Sequence, residues 1–209
     1  MRLLHGMWLR GDLRLARSPA ISLQSLLARA FPLVLAALVL GGCGSLNITS
    51  DGADSALMLR GYDPVAYFTS GTPTRGRPDV KAEHNGVTYR FATDENRRAF
   101  AASPERYVPQ FGGFCANGMV YAIPLGGEPD NFKIIGGKLY LFGGRLSKVY
   151  FEMDEAANLK LSHGYWDSEV KDSHWRLQSW KRVWFSKVPH YKTNAQLAEE
   201  YEKRFGRKP

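Results

Sequence analysis

The side chains able to engage soft metal ions or electrophiles are few. Between residues 57 and 165 the main candidate donors are Cys115, His84, His163, Met119 and Met153, with Glu83 as a carboxylate beside His84. Thiolate, thioether and imidazole together suit copper(I), or zinc, better than magnesium or calcium. Each donor also has a plain structural role. A free cysteine is more commonly a small buried hydrophobe, His84 adjoins a tight turn, His163 precedes Gly164 near a helix end where a protonated ring complements the dipole, and the methionines serve as core filler. Used as a nucleophile, Cys115 needs a histidine base and nearby N–H donors, which Gly112 and Gly113 could expose. The same glycines suit a tight turn equally well. No Ser-His-Asp order, HExxH, P-loop or GxGxxG occurs, so the expectation is a binding protein and not an enzyme.

The chain holds only two cysteines, Cys43 and Cys115, which excludes a disulfide scaffold and any four-thiolate zinc finger. Residues 1–42 carry five Lys+Arg against one acid and end in the apolar run 33–40. That run is too short to span a bilayer, and a basic segment before a short apolar one is the layout of an export signal. Leu40-Gly41-Gly42-Cys43 resembles the lipobox of bacterial lipoproteins. The resemblance implies a lipid on Cys43, which becomes the mature N-terminus and ties the chain to a membrane. Gly44 in place of Asp implies the outer membrane, with the body facing the periplasm. With Cys43 modified, Cys115 has no intramolecular disulfide partner in a compartment that oxidises exposed thiols, so it must be buried or liganded.

Charge follows this division. Of a formal +8, half belongs to the signal; residues 43–165 hold 13 basic and 13 acidic groups, and 166–209 hold ten and six. No basic face remains in the central region, which removes the case for nucleic acid.

The elements that must position the donors are short. Residues 45–56 are rich in Ser, Asn, Asp and Gly and read as a flexible tether. Asp63-Pro64 starts a small helix that Gly71 and Pro73 end. Residues 80–84 and 87–91 flank Asn85-Gly86, and 132–135 and 138–142 flank Gly136-Gly137, giving two β-hairpins. Thr93 caps a helix over 94–102, Pro104 starts a short turn, and a longer helix is expected over 147–161. Beyond the hairpins no internal repeat is evident. The fold class is α+β.

Four strings in fixed order carry a second resemblance: Gly61-Tyr-Asp-Pro-Val-Ala-Tyr-Phe68, His84-Asn-Gly-Val-Thr-Tyr-Arg-Phe91, Ala99-Phe-Ala-Ala-Ser-Pro-Glu-Arg-Tyr107 and Gly112-Gly-Phe-Cys-Ala116. Together they resemble the YHS-domain family, in the subgroup found on exported bacterial proteins, over residues 57–165. The resemblance implies a small α+β module suspected of binding heavy-metal ions. The metal-binding relatives place cysteines where this chain has Ala92 and Asn96, so Cys115, His84, His163 and Met119 are the metal candidates left.

Residues 166–209 form a Trp-rich basic helical extension. Leu177, Trp180, Val183 and Trp184 recur at helical spacing among Lys171, Arg176, Lys181, Arg182 and Lys187. Such a face can lie on an anionic membrane, dock an envelope protein, or pack back on the body; packing back is the expected outcome. A last helix is expected over 193–205.

Overall fold

Asn85-Gly86 and Gly136-Gly137 both sit at positive φ, 51° and 73° in the first pair and 57° and 73° in the second. That is the type I′ signature, whose twist matches a hairpin. In this computed structural model, which describes residues 45–209, the turns join β1 (Arg77–His84) to β2 (Val87–Phe91) and β3 (Glu128–Ile135) to β4 (Lys138–Phe142). Each hairpin is a separate antiparallel sheet, with an irregularity at the same place: between Arg77 and Lys81, and between Glu128 and Phe132. The architecture is α+β. The expected signal, residues 1–42, and Cys43 lie outside the described residues.

The hairpins belong to a larger unit that occurs twice. Leu59, Arg60 and Gly61 run at φ of 54°, 51° and 81°, and Phe111, Gly112 and Gly113 at 56°, 57° and 82°. Three consecutive left-handed residues are unfavourable for side chains other than glycine; here burial of Leu59 and Phe111 offsets the strain. A short helix follows each turn, α1 (Ala66–Thr69) and α4 (Ala116–Met119), and after each hairpin comes a longer one, α2 (Asp94–Ala102) and α5 (Arg145–Glu152). Two further helices complete the set, the single turn α3 (Pro104–Tyr107) after α2 and the 11-residue α6 (Glu155–Tyr165) after α5. The single helix expected over 147–161 is thus two, broken at Asp154, whose ψ of 60° is not helical.

The expectation of no repeat beyond the hairpins is therefore corrected. Its sequence trace is Gly76, Pro78, Asp79, Gly86, Tyr89 and Phe91 against Gly127, Pro129, Asp130, Gly137, Tyr140 and Phe142, each pair 51 positions apart. Gly76 and Gly127 are required sterically. A Cβ on the first would lie 2.5 Å from the Arg90 carbonyl carbon, and on the second 2.6 Å from the Gly113 oxygen.

Strand periodicity divides the interior. Leu139 and Leu141 face one core with Met58, Leu59, Tyr67, Tyr89, Phe91 and Phe100, while Tyr140 and Phe142 face a second with Phe111, Phe114, Met119, Phe151 and Val170. Because successive strand residues point to opposite faces, β4 is the wall shared by the two halves.

The outer face of β2 presents Thr88 and Arg90, and residues 45–57 cover it. Thr49 and Leu57 exchange backbone hydrogen bonds, Asn47 donates its amide to the Gly112 carbonyl and its side-chain nitrogen to that of Gly113, and Arg90 clasps Asp54 and Asp51. The expected flexible tether is, over residues 45–56, a hydrogen-bonded strap. The reason is the Arg90 guanidinium, nearly fully buried, which requires carboxylates that only this segment supplies.

The extension differs from expectation too. A π-turn at Trp166–Val170 continues α6, α7 (Trp175–Trp180) runs into a second π-turn at Lys181–Phe185, and α8 (Asn194–Phe205) starts at a capping box of Thr193 and Gln196. On α7 the half-buried Trp175 packs on the second core, and the other residues turned to the body are polar: Gln178 donates to the Ala122 carbonyl and Ser179 to that of Pro124. Those loop carbonyls have no strand partner, so satisfying them fixes the rotation of α7. Leu177, Trp180, Trp184 and Phe185 are left exposed, where packing back was expected.

Asp63, fully buried, anchors the first unit. Its Oδ1 accepts the amides of Val65 and Ala66 and its Oδ2 accepts the Ala92 amide and the Asn96 side chain, at 2.7–3.3 Å. Asp63→Ala strands four donors and is expected to destabilise the chain by about 3 kcal/mol or more in urea unfolding; a loss under about 1 kcal/mol would remove the anchor role. The strap carries a pH signature. Lys81 and then Arg90 hold the Asp54 carboxyl below its ordinary value, and Arg90 does the same for Asp51. A depressed carboxylate stabilises fully above the free-acid value near ~3.9, and the contribution fades as pH falls through the lower folded-state value. Protection of the Thr49 and Leu57 amides, measured relative to their intrinsic exchange rates, should fall on acidification below about pH 4 before the hairpins melt, and simultaneous melting would refute the strap's dependence on these pairs.

Candidate functional site

Cys115 occupies in the second unit the place that Asp63 holds in the first. It follows the left-handed turn, precedes α4, and its amide donates to the Leu125 carbonyl at 2.8 Å, as the Asp63 amide donates to Thr74 at the same distance. Around its Sγ stand the amides of Gly118, Gly143 and Asn117 and the Ser147 hydroxyl, groups that favour the thiolate form. These are the counterparts of Ala66, Ala92, Val65 and Asn96 around the Asp63 carboxylate. The same N–H cluster that holds an anion in one half holds a sulfur in the other.

Two opposed effects act on the thiol. Burial, with 2% of the residue exposed, pushes its pKa up and is the larger; the amide and hydroxyl donors pull it back. The free protein therefore holds a protonated thiol at neutral pH, with a shell ready to stabilise charge if a cation replaces the proton. A reactive cysteine has the reverse character, being partly exposed with a lowered pKa. No histidine is among the groups bonded to Sγ.

A cavity of about 280 Å³ opens against Cys115. Gly118 and Ser147 line it from the body, and Tyr191, Lys192, Asn194 and Leu197 line it from the extension. The stretch leading into α8 thus forms one wall, and a ligand reaching the sulfur must pass it.

The other expected donors are placed unequally. Met119 sits one helical turn from Cys115, its amide bonded to the Cys115 carbonyl at 3.1 Å, and both lie in the second core. His163 meets the far side of that core: its Nε2 shares a hydrogen bond with the Tyr140 hydroxyl at 2.9 Å, and its ring packs 4.9 Å from that of Phe111. Burial, aided by Lys138, lowers its pKa, so it stands neutral at pH 7 and is not the charged helix-end group expected. His84 lines a different cavity, of about 340 Å³, and pairs with Glu105 at 2.9 Å. Met153 borders a third, with Asp154 and His190.

Cys115 and Met119 share one core a helical turn apart, while His84 pairs with Glu105 and His163 with Tyr140, a correction to the four-donor set. Among the described residues no three His, Cys, Asp or Glu converge as a metal ligand set. A tetrahedral zinc site of three or four N, O and thiolate ligands therefore does not fit. A low-coordinate thiolate–thioether site for copper(I) fits the donors in hand. The functional groups that sequence reasoning missed are Ser147 and the Gly143 amide. The signal for them was the 51-residue offset, which maps Asn96 onto Ser147 and Ala92 onto Gly143.

Iodoacetamide at pH 7.5 should modify Cys115 roughly 100-fold more slowly in the folded chain than in urea; comparable rates would show an accessible, activated thiol. Compared with known proteins, the chain matches no family model, no curated protein and no solved structure.

Proposed function

We propose that this chain is an exported, lipid-anchored envelope protein whose YHS-like body is a non-enzymatic binding module for a soft transition-metal ion. The observation that carries the reading is the sulfur of Cys115, sealed in a cluster of three backbone amides and a hydroxyl beside a cavity. Such a shell favours a thiolate only when something cationic takes the place of the proton. Copper(I) suits the pairing of that thiolate with the Met119 thioether. The raised pKa and the lack of a histidine on the sulfur weigh against a thiol enzyme. The equal acidic and basic counts of residues 43–165 weigh against nucleic acid.

Anchoring rests on Leu40-Gly41-Gly42-Cys43. The lipid places the body at a membrane, in this reading the outer membrane on its periplasmic side. Among the described residues no helix is long and apolar enough to cross a membrane.

The described residues 45–209 form a compact unit, and both cores draw on residues from 46 onward, so the chain from residue 45 serves for titration. Copper(I), supplied in competition with a chromophoric chelator, should bind one per chain. Cys115→Ser should abolish binding, Met119→Leu should weaken it roughly tenfold, and His84→Ala should leave it unchanged. No binding, or binding indifferent to Cys115→Ser, overturns the metal reading and leaves an envelope structural or partner-binding role.

A further inference from the structure

The exposed aromatic face of the extension has a position and a charge that suit one occupant. Trp180 is 61% exposed, and Trp184 and Phe185 are each 72% exposed. Leu177 and Val183 adjoin them, and the Trp180 and Phe185 rings meet edge to face at 5.3 Å. Large aromatic side chains bury well wherever a partner surface exists. Here Trp175, Gln178 and Ser179 of α7 face the body, and Leu177 and Trp180 face out.

Along the segment itself the charge has one sign. Between Asp172 and Glu199 there is no acidic residue and there are five basic ones, Arg176, Lys181, Arg182, Lys187 and Lys192. Arg182 and Lys181 are drawn to Glu169 at the base of the patch, while Arg176 and Lys187 lie over the rings of Trp175 and Tyr191. Tryptophan with flanking cations is the composition of a segment that lies in the headgroup layer of an anionic bilayer.

The strap supplies the position. The Ser45 amide donates to the Lys171 carbonyl at 3.1 Å, and its hydroxyl to the Ser173 carbonyl at 2.7 Å. The described chain therefore begins against the residues that lead into α7. Cys43 is two residues upstream and so within about 8 Å of Ser45 along the backbone. Ser173 to Trp184 spans roughly 16 Å at helical rise. A lipid on Cys43 would enter the bilayer within reach of the aromatic patch.

We propose that Leu177, Trp180, Val183, Trp184 and Phe185 form a membrane-docking patch that seats the body on the anionic phospholipid surface to which Cys43 is tethered. The position argument rests on the lipid-anchor reading; the patch's exposure and charge do not. Two attachments, a lipid and an interfacial patch, restrict the body's rotation where a lipid alone leaves it free. The patch thereby sets which face of the protein looks into the periplasm.

The test uses residues 43–209 with Cys115→Ala, coupled through Cys43 to a maleimide-headed lipid in phosphatidylethanolamine–phosphatidylglycerol vesicles with brominated acyl chains. Bromine should quench tryptophan fluorescence. Leu177→Gln/Val183→Gln/Phe185→Gln, which keeps every tryptophan as reporter, should relieve the quenching. Untethered residues 45–209 should partition onto the same vesicles about tenfold more strongly than the Trp180→Gln/Trp184→Gln/Phe185→Gln variant, and more weakly on phosphatidylcholine alone. Absence of quenching in the tethered chain, or quenching indifferent to the triple substitution, overturns the patch. So does self-association that Trp184→Gln abolishes without any vesicle binding, which would assign the face to a second copy. The mass of the chain extracted from membranes reads the lipid on Cys43 separately, so an unmodified Cys43 with quenching intact overturns the anchor and upholds the patch.

Discussion

Each half of this fold closes around backbone amides that point inward with no strand or helix partner to receive them. Three amides per half converge where the left-handed turn meets the short helix and the end of the hairpin. Buried N–H groups must be satisfied, so something with lone pairs has to stand there. In the first half it is the Asp63 carboxylate, which accepts four hydrogen bonds. In the second it is the Cys115 sulfur, a weaker acceptor. That substitution of a soft atom for a hard anion in one geometry is the chemical difference between the halves.

The remaining architecture follows from packing two such units side by side. β4 carries apolar residues on both faces, because one face closes its own core and the other closes its neighbour's. β2 has no neighbour unit on its outer face, where Thr88 and Arg90 stand. The segment 45–57 fills that place, and its two aspartates answer the buried guanidinium. The asymmetry of the pair is thus what recruits residues 45–57 into the fold, and it sets Ser45 against the extension at Lys171 and Ser173.

Local chemistry was readable residue by residue. Asn85-Gly86 and Gly136-Gly137 imposed their turns, Thr93 capped its helix by accepting the Asn96 amide, and Thr193 did so for the last helix. These features depend on a few neighbours and on backbone preferences that hold anywhere. The duplication was legible only in part: a spacing shared by Gly76, Pro78, Asp79, Gly86, Tyr89 and Phe91 and their partners survives among unrelated residues. The strap was misread as a tether because its Ser, Asn and Asp composition is that of a linker, and its order comes from Arg90, some 36 residues away. The burial of Gln178 beside an exposed Trp180 reversed a hydropathy argument for a similar reason. Loop carbonyls at Ala122 and Pro124 needed donors more than the core needed another ring.

The sequence by itself determined the α+β class, both hairpins, the helix caps, the even charge of residues 43–165 and the presence of Cys115 as the single thiol of that region's body, residues 57–165. All of these are properties of short windows or of counting. Only the tertiary structure decided that Cys115 stands in an amide cluster equivalent to the one around Asp63, that His84 and His163 are bonded elsewhere, and that Leu177, Trp180, Trp184 and Phe185 are left to solvent. Those outcomes depend on which buried polar groups meet across long separations, and no local window carries that information.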